Sequence, residues 1–442
     1  MIGGFDMKKR MVMLLLTGVM CIGLLSGCGK SNADEDGSSD GKSDDTEVLT
    51  MMLNGADSDV YVEGYRKIID AFNADNEYGV TIEPEFVSNS DYKTKLTTMM
   101  ASDSEPDIIF TWELGYLENF VDGDKITNLS EYLDKDSAWK DSFNSGTLEQ
   151  EIYDGDVYGI PTAQCMAVMY YNKKIFADNN LEVPTTYEEY RIVCDSLLEK
   201  GITPVALAST ADDAWLVSQY IQQLSDGIAG YDLFDGLKND TAKWNDDAMV
   251  QAAELFQEEV EKGYFEEGFT GVSGSEAEAL FQTGQTAMYF NGSWEISNLD
   301  NPDVCQEAEN ISCFAMPSVE ADHANVSVGS LDNSYAVTTN CKNVEAAVGF
   351  LKYWTNEENA SMLLYDYGRM PATAIELDDS KLSSLSKDTI TCFEAQEALT
   401  PWFDRMDTDL GNEFNNSSIA IANGDDPAEI FDALQEYAEA NK

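Results

Sequence analysis

From Val48 the chain alternates between short apolar runs and longer segments with helical spacing. Val48-Leu49-Thr50-Met51-Met52-Leu53 is an apolar run that breaks at Asn54-Gly55, which reads as a strand entering a loop. Tyr65, Ile68, Ile69 and Phe72 recur at three- and four-residue intervals, the spacing of one apolar helix face. Val80, Ile82 and Phe86 alternate through Val80 to Val87 as a strand. Ser90 to Met100 reads as another helix, and Pro106-Asp107-Ile108-Ile109-Phe110 as a buried strand. Strand, helix, strand, helix, strand predicts a mostly parallel sheet covered on both faces.

Later helices carry clearer punctuation. Thr185-Thr186-Tyr187-Glu188-Glu189 offers two overlapping capping boxes, followed by the stripe Tyr190, Val193, Cys194, Leu197 and Leu198 and a stop at Gly201. Met249, Ala252, Ala253, Phe256 and Val260 repeat the pattern up to Gly263, and Val344, Ala347, Val348, Leu351 and Trp354 do so again. Pro204 to Leu207 and Thr286 to Phe290 read as further strands. The fold class is α/β throughout, with no tandem repeat. About 395 residues remain from Val48 onward, too many for one compact core and enough for two lobes.

The N-terminus has a different character. Lys8-Lys9-Arg10 is a basic cluster, and Met11 to Leu25 is an apolar stretch of 15 residues, short for a membrane span but suited to a secretory signal. Met7 would open such a signal in the usual way, so Met1 to Asp6 reads as an over-extended start. Gly29 to Glu47 is almost wholly Gly, Ser, Asn, Asp, Glu and Lys, a composition that cannot offset its ordering entropy by burial. No later apolar run reaches 18 residues, so the body is expected to be soluble.

Charge narrows the partners. Without the signal, 23 basic and 81 acidic residues give a net charge of −58, which repels nucleic acid and anionic lipid. There is one histidine, His323, in a polar stretch expected at the surface, and no Cys-x-x-Cys, so zinc sites and a metal cofactor are not expected. No Gly-x-Ser-x-Gly elbow, phosphate loop or dinucleotide fingerprint is present. Catalysis is therefore not expected. An even cysteine count permits disulfides, with Cys305 and Cys313 nearest in sequence, but a body this large does not need them, and mostly buried free thiols are expected.

Several segments stand out together: Pro106 to Trp112, Asp154-Gly155-Asp156-Val157-Tyr158-Gly159-Ile160-Pro161 with Tyr171-Asn172-Lys173, Pro184 to Glu189, Phe281 to Met288 leading to Asn291-Gly292-Ser293-Trp294, Asn343 to Trp354, and Met370-Pro371-Ala372. Together they resemble the family 1 extracellular solute-binding proteins, the group that includes maltose-binding protein. Their order and spacing run over nearly 400 residues. The resemblance implies a type II periplasmic-binding-protein fold with a ligand cleft between two hinged lobes. It places lobe 1 at 48–165 and 331–372 and lobe 2 at 166–330 and 373–442, with crossings near Gln164 to Met169, Ser330 to Tyr335 and after Ala372. Leu25-Ser26-Gly27-Cys28 likewise resembles a bacterial lipobox. It implies a signal peptide over 1–27, a lipid anchor on Cys28 and a tether over 28–47 that holds the body at the outer face of the cell membrane. The implied partners are a carbohydrate ligand and the permease subunits of an ABC importer, with the protein itself a monomer.

A sugar presents apolar C–H faces and a rim of hydroxyls, so its site needs flat aromatic rings and short polar side chains at loops and strand ends. Trp294 follows a strand where the family places a stacking tryptophan; the alternative is a core tryptophan. Trp112 and Glu113 follow the strand ending at Phe110, at the end where open α/β sheets bind ligands. Asn54, Asp57 and Asp59 lie in the loop after the first strand, where they suit hydroxyls or cap the following helix equally well. Gln164 sits on the first crossing, beside Cys165, which stands where maltose-binding protein has a carboxylate and so implies another hydroxyl pattern. Asp213 and Trp215 come from the second lobe, Asp332 from the return crossing. Arg369 either forks onto ligand oxygens or forms an ion pair between lobes. Trp402 is the nearest stand-in for the family's C-terminal aromatic pair, whereas Trp139, Trp244 and Trp354 are assigned to packing or surface. Two other readings stay open at this point: the same fold with a polyamine or peptide ligand, and a surface sensor or adhesin.

Overall fold

The apolar run that opens the body becomes a strand buried on both faces, with Leu49, Met51, Met52 and Leu53 all out of solvent. The computed structural model describes residues 46–441. The signal expected at 1–27, the Cys28 anchor and nearly all of the tether at 28–47 lie outside the described residues. Among the described residues the strands are β1 (Glu47–Asn54), β2 (Val80–Val87), β3 (Ile108–Thr111), β4 (Ile152–Tyr153), β5 (Asp156–Val157), β6 (Gly159–Asn172), β7 (Thr203–Ala206), β8 (Thr286–Gly292), β9 (Ile311–Phe314), β10 (Val326–Val337), β11 (Met370–Pro371) and β12 (Ala398–Thr400). No helix among them is long and apolar enough to cross a membrane.

β1 pairs in parallel with β2 along its whole length and with β3 on its other side. Helices Val62–Ala74 and Asn89–Ala101 provide the crossovers, as the apolar spacing predicts. Beyond β3 the pattern changes, and the full order β2-β1-β3-β10-β6-β8-β7 is mixed rather than mostly parallel. Parallel pairing holds for β1 with its neighbours, for β7 with β8 and for β10 with β12. The two longest strands, β6 and β10, run antiparallel to each other, because one carries the chain out of the first half and the other brings it back.

Their pairing shows the passage. β6 lies against β10 from Gly159 to Met166, then continues against β8 and β9 from Ala167 to Asn172. β10 pairs with β12 at Val326 to Val328, with β6 from Gly329, and with β3 from Ser334 to Val337. Two hydrophobic cores flank this passage. One gathers Leu53, Ile69, Ile108, Phe110, Leu117, Phe350 and Trp354; the other gathers Tyr220, Phe256, Met288, Phe290 and Phe414. β6 and β10 contribute to both, so the two lobes share the strands that join them.

Local signals explain the helix ends. Thr186 accepts a hydrogen bond from the Glu189 amide at 3.2 Å, while the Glu189 carboxylate reaches back to Thr185 rather than Thr186, merging the two expected boxes into one. Gly263 closes helix Asp247–Lys262 at φ 80°, where a Cβ would be strained. Trp139, Trp244 and Trp354 are buried in the cores. His323, expected at the surface, is partly buried because its ring rests against Gly230.

Candidate ligand-binding site

The passage between the lobes is buried almost throughout, and its exceptions are polar. Between Gly159 and Tyr170, Gln164 alone on β6 reaches solvent. Its amide donates to the Pro371 carbonyl at 3.1 Å and so ties the first passage to the segment around β11. On β10 the register shifts: Leu331 faces Gln164 and Asn333 faces Ala163, leaving Asp332 as an extra residue. Such a bulge re-aims a side chain out of the ladder. Asp332 is aimed at Arg369, which is 4% exposed, and the two form an ion pair.

Arg369 is held from a second side. Its guanidinium lies 3.7 Å from the centre of the Tyr61 ring, while the Tyr61 hydroxyl donates to Asp59 at 3.1 Å. Burial opposes the charge on Arg369, but Asp332 and the neighbouring Tyr65 and Tyr61 outweigh it and raise its pKa. Its Nε is a buried donor without a protein partner. Asp59 also accepts from the Ala56 amide at 2.8 Å, which fixes the loop after β1.

The second lobe supplies an aromatic wall. At the end of β8 the chain turns through Gly292, where a Cβ would overlap the Trp294 ring. The absence of a side chain there lets Trp294 fold back over its own strand. Trp215, near the start of helix Ala214–Ala229, lies 5.8 Å from Trp294, and Trp402 lies 6.1 Å from it on the other side. Gln222 clamps Trp402 by donating to Pro401 O and accepting from Phe403 N, both at 2.9 Å. Trp294 and Trp215 are partly exposed, Trp402 is buried, and the indole N–H groups of Trp215 and Trp402 have no protein acceptor.

Arg405 joins this wall to the first lobe. It stacks 4.2 Å over Trp402, and its Nη1 donates to both carboxylate oxygens of Glu113 and to Leu331 O, each at 2.9 Å. Glu113 is fully buried, so its charge is taken up by Arg405. Trp112 is also buried, edge-on to Phe110, Tyr92 and Tyr116, with the Lys93 ammonium 5.0 Å above its ring. Lys93 is itself solvent-exposed, and its ammonium also lies 5.5 Å from the Tyr116 ring. Leu114 takes a left-handed φ of 61°, and Gly115 is pressed so closely on the Met406 carbonyl that a Cβ would overlap it. Strained backbone of this kind persists only where surrounding structure enforces it.

Next to Trp294 stands a second acidic group. Asn298 donates to Glu278 at 3.0 Å and to Glu295 at 3.3 Å, which holds the two carboxyls together. Burial first, and Glu278 second, push the Glu295 carboxyl up to about 8. Asp59 of the first lobe adds to the same field.

The sequence-predicted residues therefore divide. Gln164, Asp332 and Arg369 stand on or beside the passage, with Asp59 linked to Arg369 through Tyr61, and Trp215 and Trp294 pack together where Ser293 meets β6 at Met166. Glu113 and Trp112 lie behind them. Asn54 donates to Asn89 at 3.0 Å, Asp57 is exposed and paired with Arg66, and Asp213 is taken up by the Gly274 amide at 2.9 Å and the Thr210 hydroxyl. Tyr61, Arg405, Glu295 and Lys93 were not singled out from the sequence. Arg405 had a signal, three residues after Trp402 in Pro401-Trp402-Phe403-Asp404-Arg405, but no spacing rule ties it to Glu113, 292 positions away. A surface recess of about 1050 Å³ between helix Glu357–Tyr367 and residues 376–381 shares none of these residues.

Two lobes joined by shared strands, with aromatic rings and paired charges gathered where they meet, define a two-lobed binding protein. The chain belongs to the family described as bacterial extracellular solute-binding protein, which it matches over residues 56–361. It is 24% identical over 403 residues to the multiple sugar-binding protein of Streptococcus mutans, covering 87% of each chain. It is 24% identical over 304 residues to the galactooligosaccharide-binding protein of Bacillus subtilis, covering 67% of this chain and 68% of that one. Among solved structures, one from work on xylan utilisation by Caldanaerobius polysaccharolyticus superposes with a TM-score of 0.82 at 26% identity, covering 88% of this chain and 99% of the other. A chitin oligosaccharide binding protein superposes at 0.83 and 24% identity, covering 90% and 99%.

Proposed function

We propose that this protein captures a neutral sugar or short oligosaccharide outside the cell and delivers it to the permease of an ABC importer. The observation that carries the reading is the partly exposed pair Trp215 and Trp294 beside cations that are already neutralised, Arg369 by Asp332 and Arg405 by Glu113. Aromatic faces suit the apolar side of a sugar ring, and neutralised charges still offer directed hydrogen-bonding atoms without demanding a charged ligand. Trp294 and Trp215 stack the ligand; Gln164, Asp332, Arg369 and Asp59 pair with its hydroxyls; Glu113 acts indirectly by positioning Arg405. Sugar-binding relatives support the same class of ligand.

On this reading the lobes comprise 48–165 with 331–372 and 166–330 with 373–442, and they close on the ligand as a hinge. Cys28 carries a lipid that keeps the monomer at the outer face of the membrane. The family is one of binding proteins, and the ligand leaves the site chemically unchanged. The test is a thermal-shift and calorimetric screen of the protein against neutral oligosaccharides, uronates, amino acids, peptides and polyamines. A ligand at 100 times its dissociation constant stabilises the fold by about 2.7 kcal/mol. A shift with neutral saccharides supports the reading, whereas a shift confined to polyamines or peptides overturns it.

A further inference from the structure

Six cysteines lie in the described residues, all buried and all free thiols in the structure, as the sequence led us to expect. Cys165 and Cys194 are packed in the second core, the Cys305 thiol faces the Gln282 carbonyl at 3.9 Å, and Cys341 neighbours Asp107. The remaining two come together. Cys313 belongs to β9 and Cys392 to helix Ser384–Glu394, which packs across that strand. Ser312 donates to Asp388 at 2.7 Å, and the Cys313 sulfur lies 3.3 Å from the Thr389 hydroxyl, one helical turn before Cys392. Cys392 lies one turn further along the helix that meets Cys313 through Thr389, and the two thiols perturb each other, raising the pKa of Cys313 and lowering that of Cys392.

We propose that Cys313 and Cys392 are joined by a disulfide in the exported protein. The family is extracellular, a setting in which thiols are not held reduced. This rests on that location and on the geometry, and it is independent of which ligand the cleft takes. The oxidant is a disulfide, carried by an extracytoplasmic thiol oxidoreductase or a small molecule, acting while the chain folds and the sulfurs are still reachable. The Cys392 thiolate attacks one sulfur of that disulfide, forming a mixed disulfide and expelling a thiolate. The Cys313 thiolate then attacks the Cys392 sulfur and expels the second. Two S–H bonds are lost and one S–S bond forms, and the two electrons and two protons end on the two thiols of the reduced oxidant.

The nearest pair in sequence is thus not the bonded one. The 313–392 link encloses β10, helices Val344–Trp354 and Glu357–Tyr367, and β11, so it closes both later passages between the lobes into one loop. It fastens helix Ser384–Glu394 to β9, which pairs with the far end of β6 at Met169 to Asn172.

The test is cysteine mapping of the full-length exported protein, purified without reductant, denatured, alkylated and digested. The expected result is a peptide carrying Cys313 linked to one carrying Cys392, lighter than their sum by two hydrogens and separated by dithiothreitol, with the other four body cysteines alkylated. Reduction is expected to lower the melting temperature by about 5 °C, given the long loop closed, and a Cys313→Ser, Cys392→Ser double variant to show no such response. Because mapping uses the unmodified chain, poor folding of the variant leaves the test intact. Alkylation of both Cys313 and Cys392 in the unreduced protein, including after refolding with oxidised glutathione, overturns the proposal. So does a link from Cys313 to any other cysteine.

Discussion

Glu151 gives the most direct test of the electrostatics beneath the site. It ends the short turn Leu148–Glu151, is fully buried, and has neither carboxylate oxygen paired by geometry. Its carboxyl is pushed from 4.5 up to about 8, first by burial and then by Glu113, with Ser334 and Arg405 giving partial relief. Because the folded pKa is raised, the retained proton stabilises the fold fully below 4.5, and that stabilisation is lost as pH rises through about 8. The gap corresponds to about 5 kcal/mol at 1.36 kcal/mol per pH unit, and relaxation around a buried charge brings the expected value to about 2 to 5 kcal/mol. Glu151→Gln keeps the shape of the protonated acid and cannot ionise. Denaturant unfolding at about pH 5, 6.5 and 8 is expected to show the variant close to wild type at the lowest pH and more stable at the highest by that amount. Parallel stability curves for the two proteins across this range would refute the argument, since they would mean that Glu151 titrates alike in the folded and unfolded chains.

Three further outcomes follow from the site. Trp294→Ala is expected to weaken saccharide binding by at least about 2 kcal/mol, or roughly 30-fold, in calorimetry, with little change in the melting temperature of the unliganded protein; unchanged affinity would remove Trp294 from the ligand face. Arg405→Met leaves the fully buried Glu113 charge uncompensated and is expected to cost about 3 to 5 kcal/mol of unfolding free energy, most of it regained in the Glu113→Gln, Arg405→Met double variant; equal losses in single and double variants would count against the pairing. Gly115→Val pushes a side chain into the Met406 carbonyl and is expected to wedge the lobes apart. Small-angle scattering should then give a larger radius of gyration and calorimetry a lower affinity, whereas unchanged values for both would mean that this contact does not set the separation of the lobes.

The parts of the fold that were legible in the sequence are those governed by short-range periodicity. Helix Val344–Trp354 and strand β2 fall where their apolar spacing puts them, and Gly263 ends its helix through its own backbone freedom. The direction of the long strands was not legible, because β6 and β10 mix polar and apolar residues without a clean period and pair with partners more than 150 residues away. The site shows the same division. Trp294 and Trp215 stood out as aromatics at element ends. Asp332 stood out less, because its exposure comes from a bulge that only the register of β10 against β6 reveals. Glu113 looked like a ligand residue by position, yet its accessibility is decided by Arg405, which arrives from the far end of the chain.

The location of these groups bears on how a ligand would drive closure. Gln164, Asp332 and Arg369 stand on or beside the passages between the lobes, so a hinge motion displaces them least. Trp215 and Trp294 belong to one lobe and Asp59 and Tyr61 to the other, so these move most relative to each other. A ligand held by the passage alone would bind the open and closed forms equally and shift nothing. On the proposed function, contacts added as the loop after β1 approaches the tryptophans would be the ones that distinguish the two forms. Tyr61 is suited to that role, because its ring already covers Arg369 and its hydroxyl is tied to Asp59. On the proposed function the loop would approach as one preordered unit rather than as side chains ordered one by one, and little of the binding free energy would be lost in fixing it. Preorganisation on one side and a fixed aromatic wall on the other leave the hinge as the main degree of freedom for the ligand to select.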